Sequence, residues 1–164
     1  MDLHGKDLAR VHRLNPTDAN NKLLKRLSDN ERVIRETSKL LISTDKENLQ
    51  NTPAEEWLLD NFYLIDDQIR IAKLHLPKKY SYGLPRLLKG PSANLPRVYD
   101  IALEAIAHSD AYLDPATLMQ FVAAYQTISP LQLGELWALP IMLRLALIEN
   151  LRRIAARLAI SRSQ

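Results

Sequence analysis

The sequence predicts an all-α fold, and three observations carry that prediction. Apolar residues recur at three- and four-residue steps along most of the chain, the spacing that lines one face of a helix. Segment after segment opens on a capping residue followed by proline, as at Thr52-Pro53, Asp114-Pro115 and Ser129-Pro130. No stretch alternates with a period of two, and 4 glycines against 9 prolines are too few turn residues for a sandwich or barrel. A chain of 164 residues fits one domain, expected as a bundle of about five or six helices. Residues 1–18 are expected to form a weakly ordered N-terminal arm and residues 19–160 the bundle.

The first helix is weak, roughly Leu3 to His12, and ends at the Asn15-Pro16 break. Leu23, Leu24, Leu27, Val33, Ile34, Leu40 and Leu41 then form one apolar stripe on a long charged helix from about Ala19 to Lys46. Thr52-Pro53-Ala54-Glu55 combines an N-cap, a first-turn proline and a glutamate placed to close a capping box. The helix it opens carries Trp57, Leu58, Phe62, Ile65, Ile69 and Ala72 on its core side and ends before Pro77. Pro96 opens the next helix, to about Ser109, and Asp114-Pro115 opens another, to about Thr127. Ser129-Pro130-Leu131-Gln132 repeats the capping grammar and begins the final helix.

Between Pro77 and Leu95 lies a strap with little periodicity, in which Leu84 to Leu88 has the makings of one short helical turn. Its Lys78, Lys79, Tyr80, Tyr82 and Arg86, with Arg97 just beyond, make a candidate interaction surface, since long ordered connections are often functional. A strap packed over helix ends by its leucines and tyrosines accounts for the same residues. The net charge of +3 is uneven: the strap is basic, while the helix before it carries Glu55, Glu56, Asp60, Asp66 and Asp67. A basic loop beside an acidic helix points to internal pairing or solvation more than to nucleic acid.

Several chemistries find no foothold. There is no cysteine, which removes disulfides, thiolate metal sites and cysteine nucleophiles. Glu104 and His108 share a helix face but lack the second carboxylate–histidine pair of a di-iron bundle, so no metal site is expected. Phosphate-binding glycine loops and nucleophile elbows are missing, so no catalytic or cofactor-binding residue is assigned. The charged N-terminus MDLHGKDLARVHR lacks the apolar core of a secretory signal.

The final helix raises a different question. Residues 134–153 read GELWALPIMLRLALIENLRR, apolar almost all round from Leu136 to Ile148, which places the helix inside protein or lipid. A spanning helix needs about 20 apolar residues, and Glu135, Arg144 and Glu149 leave less than that. A central bundle helix is therefore expected. Arg144 lies nine residues past Glu135, on the opposite face, so it needs an acid from elsewhere. Asp60 and Asp67 are the first candidates and Glu104 the third, with Asn61 and Gln68 completing a polar network. Such a buried pair would make Arg144→Met cost roughly 3–5 kcal/mol. Glu149 is expected to pair with Arg152 and Arg153, one turn on.

Three stretches carry a family resemblance: TPAEEWLLDNFYLIDDQIR, LPRLLKGPSANLPRVYDIALEAIAHSD and FVAAYQTISPLQLGELWALPIMLRLALIENLRRIA. Together they resemble the N-terminal helical region of cyclic β-1,2-glucan synthases, over roughly Leu8 to Leu158. Tyr63 stands where the family pattern suggests histidine, Asp66 and Asp67 replace a glutamate pair, and Gln132 replaces a threonine cap. The resemblance implies a very large bacterial inner-membrane enzyme that builds a β-1,2-glucan ring from UDP-glucose. It also implies that the glycosyltransferase, transmembrane and phosphorylase-like parts lie downstream of the region matched here. No catalytic residue transfers to this chain on that reading. The implied role is a non-catalytic cytoplasmic domain at the inner membrane face, packing against or regulating the catalytic part. An autonomous adaptor acting through the strap, and a small carbohydrate binder or enzyme using the acidic helix, remain as alternatives.

Overall fold

The computed structural model of the protein describes residues 2–15, 22–45, 51–76, 83–109 and 113–163. Among these the helices are α1 (Asp2–Val11), α2 (Lys22–Asp45), α3 (Pro53–Asp60), α4 (Phe62–His75), α5 (Arg97–His108), α6 (Pro115–Gln126) and α7 (Leu133–Ser163). The all-α expectation holds, with one helix more than expected. The helix expected to run unbroken from Pro53 to Leu76 is divided at Asn61, whose side-chain amide donates to the Trp57 carbonyl at 2.9 Å and draws the backbone out of helical geometry. Two short strands, β1 (Leu14–Asn15) and β2 (Arg86–Leu87), also pair antiparallel, with Leu14 opposite Leu87. Strands of two residues are too short to show alternation, and the turn of helix expected over Leu84 to Leu88 is this strand instead.

The caps explain where the helices start. The Thr52 hydroxyl accepts from the Glu55 N–H at 3.3 Å, and the Glu55 carboxylate accepts in return from the Thr52 N–H. Asp114 accepts from the Thr117 N–H at 2.7 Å, which holds its carboxyl below the usual range. The last helix departs from expectation. It begins at Leu133, and its first turn is closed by Glu135 accepting from the Gln132 N–H at 2.8 Å, while the Ser129 hydroxyl serves Arg97.

Among the described residues, two apolar clusters make the core. The larger joins α2, α3, α4, α5 and α7; the smaller joins α1, α5 and α6 with Leu131. Helix α7 packs against α5, α2 and α4, and so holds the central position expected of it. Helix α5 contributes to both clusters, Val98, Tyr99 and Ala102 to the larger, Ile101 and Ala105 to the smaller. In the N-terminal stretch, α1 is seated on α6. Gly5 permits this approach, because a Cβ there would meet the Phe121 carbonyl at 2.6 Å.

The described part of the strap is tied down by backbone. Leu88 N–H donates to the Arg13 carbonyl at 2.7 Å, and Leu87 N–H to Leu95 at 3.0 Å. Gly90 and Asn94 take left-handed φ values of 92° and 68° to reverse the chain between them. Leu87 and Leu95 are buried, so here the strap covers helix ends with its leucines.

Candidate interaction groove

Three charged side chains interrupt the apolar run of α7, and each meets different surroundings. Glu135, fully buried, receives Arg97 as a two-pronged pair: Nε donates at 2.7 Å and Nη2 at 2.8 Å. The same guanidinium donates to the Ser129 hydroxyl and the Pro130 carbonyl, both at 2.9 Å. Its hydrogen bonds to Glu135 raise its pKa against the opposing effect of burial. The pair fastens the start of α5 to the start of α7.

Glu149, also fully buried, is a hub. Arg26 on α2 donates from Nη2 at 2.6 Å and from Nε at 2.9 Å, Asn30 donates at 2.8 Å, and the Tyr99 hydroxyl donates from α5 at 3.0 Å. Arg152 and Arg153 approach from its own helix at 3.2 and 3.7 Å, the pairing the spacing indicates. Burial alone pushes the carboxyl pKa up. The hydrogen bonds from Arg26 and Asn30 and the charge of Arg26 outweigh it, leaving Glu149 at about 2. Burial and the neighbouring Glu149 charge push the Tyr99 hydroxyl strongly upward.

Arg144 is the exception. It is half-buried and, among the described residues, has no hydrogen-bond or ion-pair partner. The acids expected to meet it lie elsewhere: Asp67 pairs with Arg70, Glu104 accepts from His4 at 3.2 Å, and Asp60 is exposed to solvent. Asn61 and Gln68 do come to Arg144, as lining of the same groove. This groove, about 610 Å³, runs between α3–α4 and α7, with Trp57, Leu64, Leu147 and Leu151 on its walls. Trp57, expected in the core, is 52% exposed; Leu64 is 65% and Leu147 41%. One flank of α7 is therefore not enclosed by these helices, and Trp137 at 77% exposure extends that departure from an all-round buried helix. Beyond Asn150 and Ile154 the groove opens onto a basic depression bearing Arg152, Arg153 and Arg157.

The strap surface is reduced. Arg86 and Arg97 are buried, at 6% and 4% exposure, because one sits in β2 and the other in the pair with Glu135. Lys78, Lys79, Tyr80 and Tyr82 lie outside the described residues.

A further polar cluster has no signal in the sequence. His12 is hydrogen-bonded through Nε2 to Asp100 at 2.7 Å and through Nδ1 to the Tyr125 hydroxyl at 2.9 Å, and Ser92 donates to Asp100 at 2.6 Å. The Ser92 hydroxyl is held by Asp100 and not by His12, so serine and imidazole do not form a nucleophile–base pair. The cluster joins the end of α1 and the strap to α5 and α6. Nothing at His12 signalled it, because its partners are 88 and 113 residues away.

No described helix is long and apolar enough to cross a membrane. No family model matches the chain. It is 39% identical over 111 residues to the cyclic β-(1,2)-glucan synthase NdvB of Rhizobium meliloti (strain 1021), a match covering 68% of this chain. The chain is a partial homologue of cyclic β-1,2-glucan synthase. The match spans 4% of that synthase's length, so it relates this helical chain to a short region of a far longer protein.

Proposed function

We propose that this chain acts as a non-catalytic helical domain of a cyclic β-1,2-glucan synthase-like glycosyltransferase, packing against or regulating its catalytic part at the cytoplasmic face of the inner membrane. The observation that carries the reading is homology confined to a small fraction of the synthase. Chemistry within the chain supports it. The buried ionic groups Glu135, Glu149 and Arg97 are spent on joining helices, and the open groove is apolar with an arginine, Arg144, that has no acid among the described residues. That is the character of a contact surface, since substrate chemistry needs several convergent polar groups.

The test adds the purified chain to the Rhizobium meliloti synthase from which the corresponding region has been deleted. Expected are a stable complex and a changed rate of glucan formation relative to the deletion alone, with no glucosyl transfer from UDP-glucose by the isolated chain. Absence of a complex together with an unchanged rate overturns the proposal. So does protein-dependent transfer by the chain alone.

A further inference from the structure

We infer that the groove between α3–α4 and α7 is the docking site for an amphipathic helix that brings a carboxylate to Arg144. The inference rests on the proposed function and names the surface and the partner chemistry it would use.

Charge complementarity sets the first requirement. Arg144 sits half-buried among Trp57, Leu64, Ile148 and Leu151 with no acid of its own among the described residues. An occupant that excludes water from this groove leaves the guanidinium desolvated, so it must supply the missing carboxylate. A second cation with no acid partner among the described residues is Arg157, exposed in the basic depression beside the groove. It lies thirteen positions beyond Arg144, about 20 Å along the axis but roughly 140° round the helix, so a rod laid in the groove meets Arg144 and not Arg157.

The walls set the second requirement. On α7 they are Arg144, Leu147, Ile148, Leu151 and Ile154, spaced as the ridge of one helix face, and α4 offers a parallel ridge through Leu64, Ile65 and Gln68. An extended peptide laid here would turn its backbone N–H and C=O groups toward mostly apolar side chains, with the Arg144 guanidinium and the amides of Asn61, Gln68 and Asn150 as the polar groups of the lining to receive them. A helix satisfies its own backbone and presents side chains at matching intervals. An acyl chain is the poorer fit, because walls that leave Leu64 and Leu147 so exposed would keep it half in water.

The test places a photo-crosslinking residue at Leu64 and illuminates the complex with the region-deleted synthase. Crosslinks are expected on a segment whose Asp or Glu is flanked by apolar residues at three- and four-residue steps. Arg144→Glu and, separately, Leu64→Lys should each weaken the complex by at least about 10-fold. Both positions are exposed or unpartnered, and circular dichroism checks that each variant stays folded. Replacing the crosslinked acid by arginine should restore binding to the Arg144→Glu chain. Crosslinks to lipid or to a second copy of the chain overturn the inference. A complex indifferent to both substitutions also overturns it and leaves the proposed function standing; no complex with the unmodified chain overturns both.

Discussion

Glu149 and Arg144 are five residues apart on the same helix, and their surroundings are opposite. Glu149 lies completely buried and is met by donors from α2, α5 and its own helix. Arg144 lies at an open apolar wall and is met by none among the described residues. A buried charge persists only when its lost hydration is replaced by specific partners. At Glu149 the chain supplies those partners itself. At Arg144 it keeps the charge in reach of water, which is the state a contact surface must keep until something covers it.

Substitutions that remove one side of a satisfied pair should therefore be far more damaging than loss of Arg144. The largest effect is expected at Arg97→Met, which strands Glu135 without its guanidinium. Unfolding in urea should show a loss of roughly 3–5 kcal/mol, and Glu135→Gln added to it should cost less than Glu135→Gln alone. Additive costs would show that the two groups are not coupled.

Acid should act on the hub. The carboxyl of Glu149 is held at about 2 in the folded protein against an ordinary 4.5. Its contribution is then present in full above about pH 4.5 and is lost as pH falls through 2, a total of about 3 kcal/mol. Stability measured from pH 6 to 2 should fall accordingly, and Glu149→Gln should be less stable at pH 6 but with a shallower decline. Equal slopes in the two proteins would place the acid sensitivity at other groups.

A smaller loss, about 1 kcal/mol, is expected for Thr52→Ala, which removes the hydroxyl that accepts from the Glu55 N–H. The smallest belongs to Arg144→Met: less than about 0.5 kcal/mol in thermal or urea unfolding, because no partner among the described residues is left behind. A loss of several kcal/mol there would mean that Arg144 does have an acid within the chain, and the contrast with Glu149 would collapse.

Local signals proved readable in the sequence and partners across the fold did not. Thr52, Pro53 and Glu55 lie within one helical turn, so their capping box could be written down from spacing alone. The same holds for Asp114 with Thr117 and for Glu149 with Arg152 and Arg153. Arg26, which contributes most to the Glu149 hub, is 123 residues away on a helix face that reads as solvated. Arg97 looked like part of a basic surface for a similar reason: nothing beside it in sequence reveals Glu135. Trp57 and Arg144 show the converse. Apolar character suggested that both faced the core, but periodicity says which residues share a face, not whether this chain alone provides enough protein to cover it. The groove lay in that gap.

The placement of α5 bears on how the molecule comes apart. Its side chains enter both apolar clusters, and its residues from Arg97 to Ile106 are buried except Glu104. Melting α1 and α6 away from the rest would expose Ile101 and Ala105, while peeling off α2 or α7 would expose Val98 and Tyr99 on the same short rod. Neither cluster has a wall of its own on that side. The clusters should lose their order in one cooperative step, with a calorimetric enthalpy equal to the van't Hoff value rather than two resolved heat-absorption peaks.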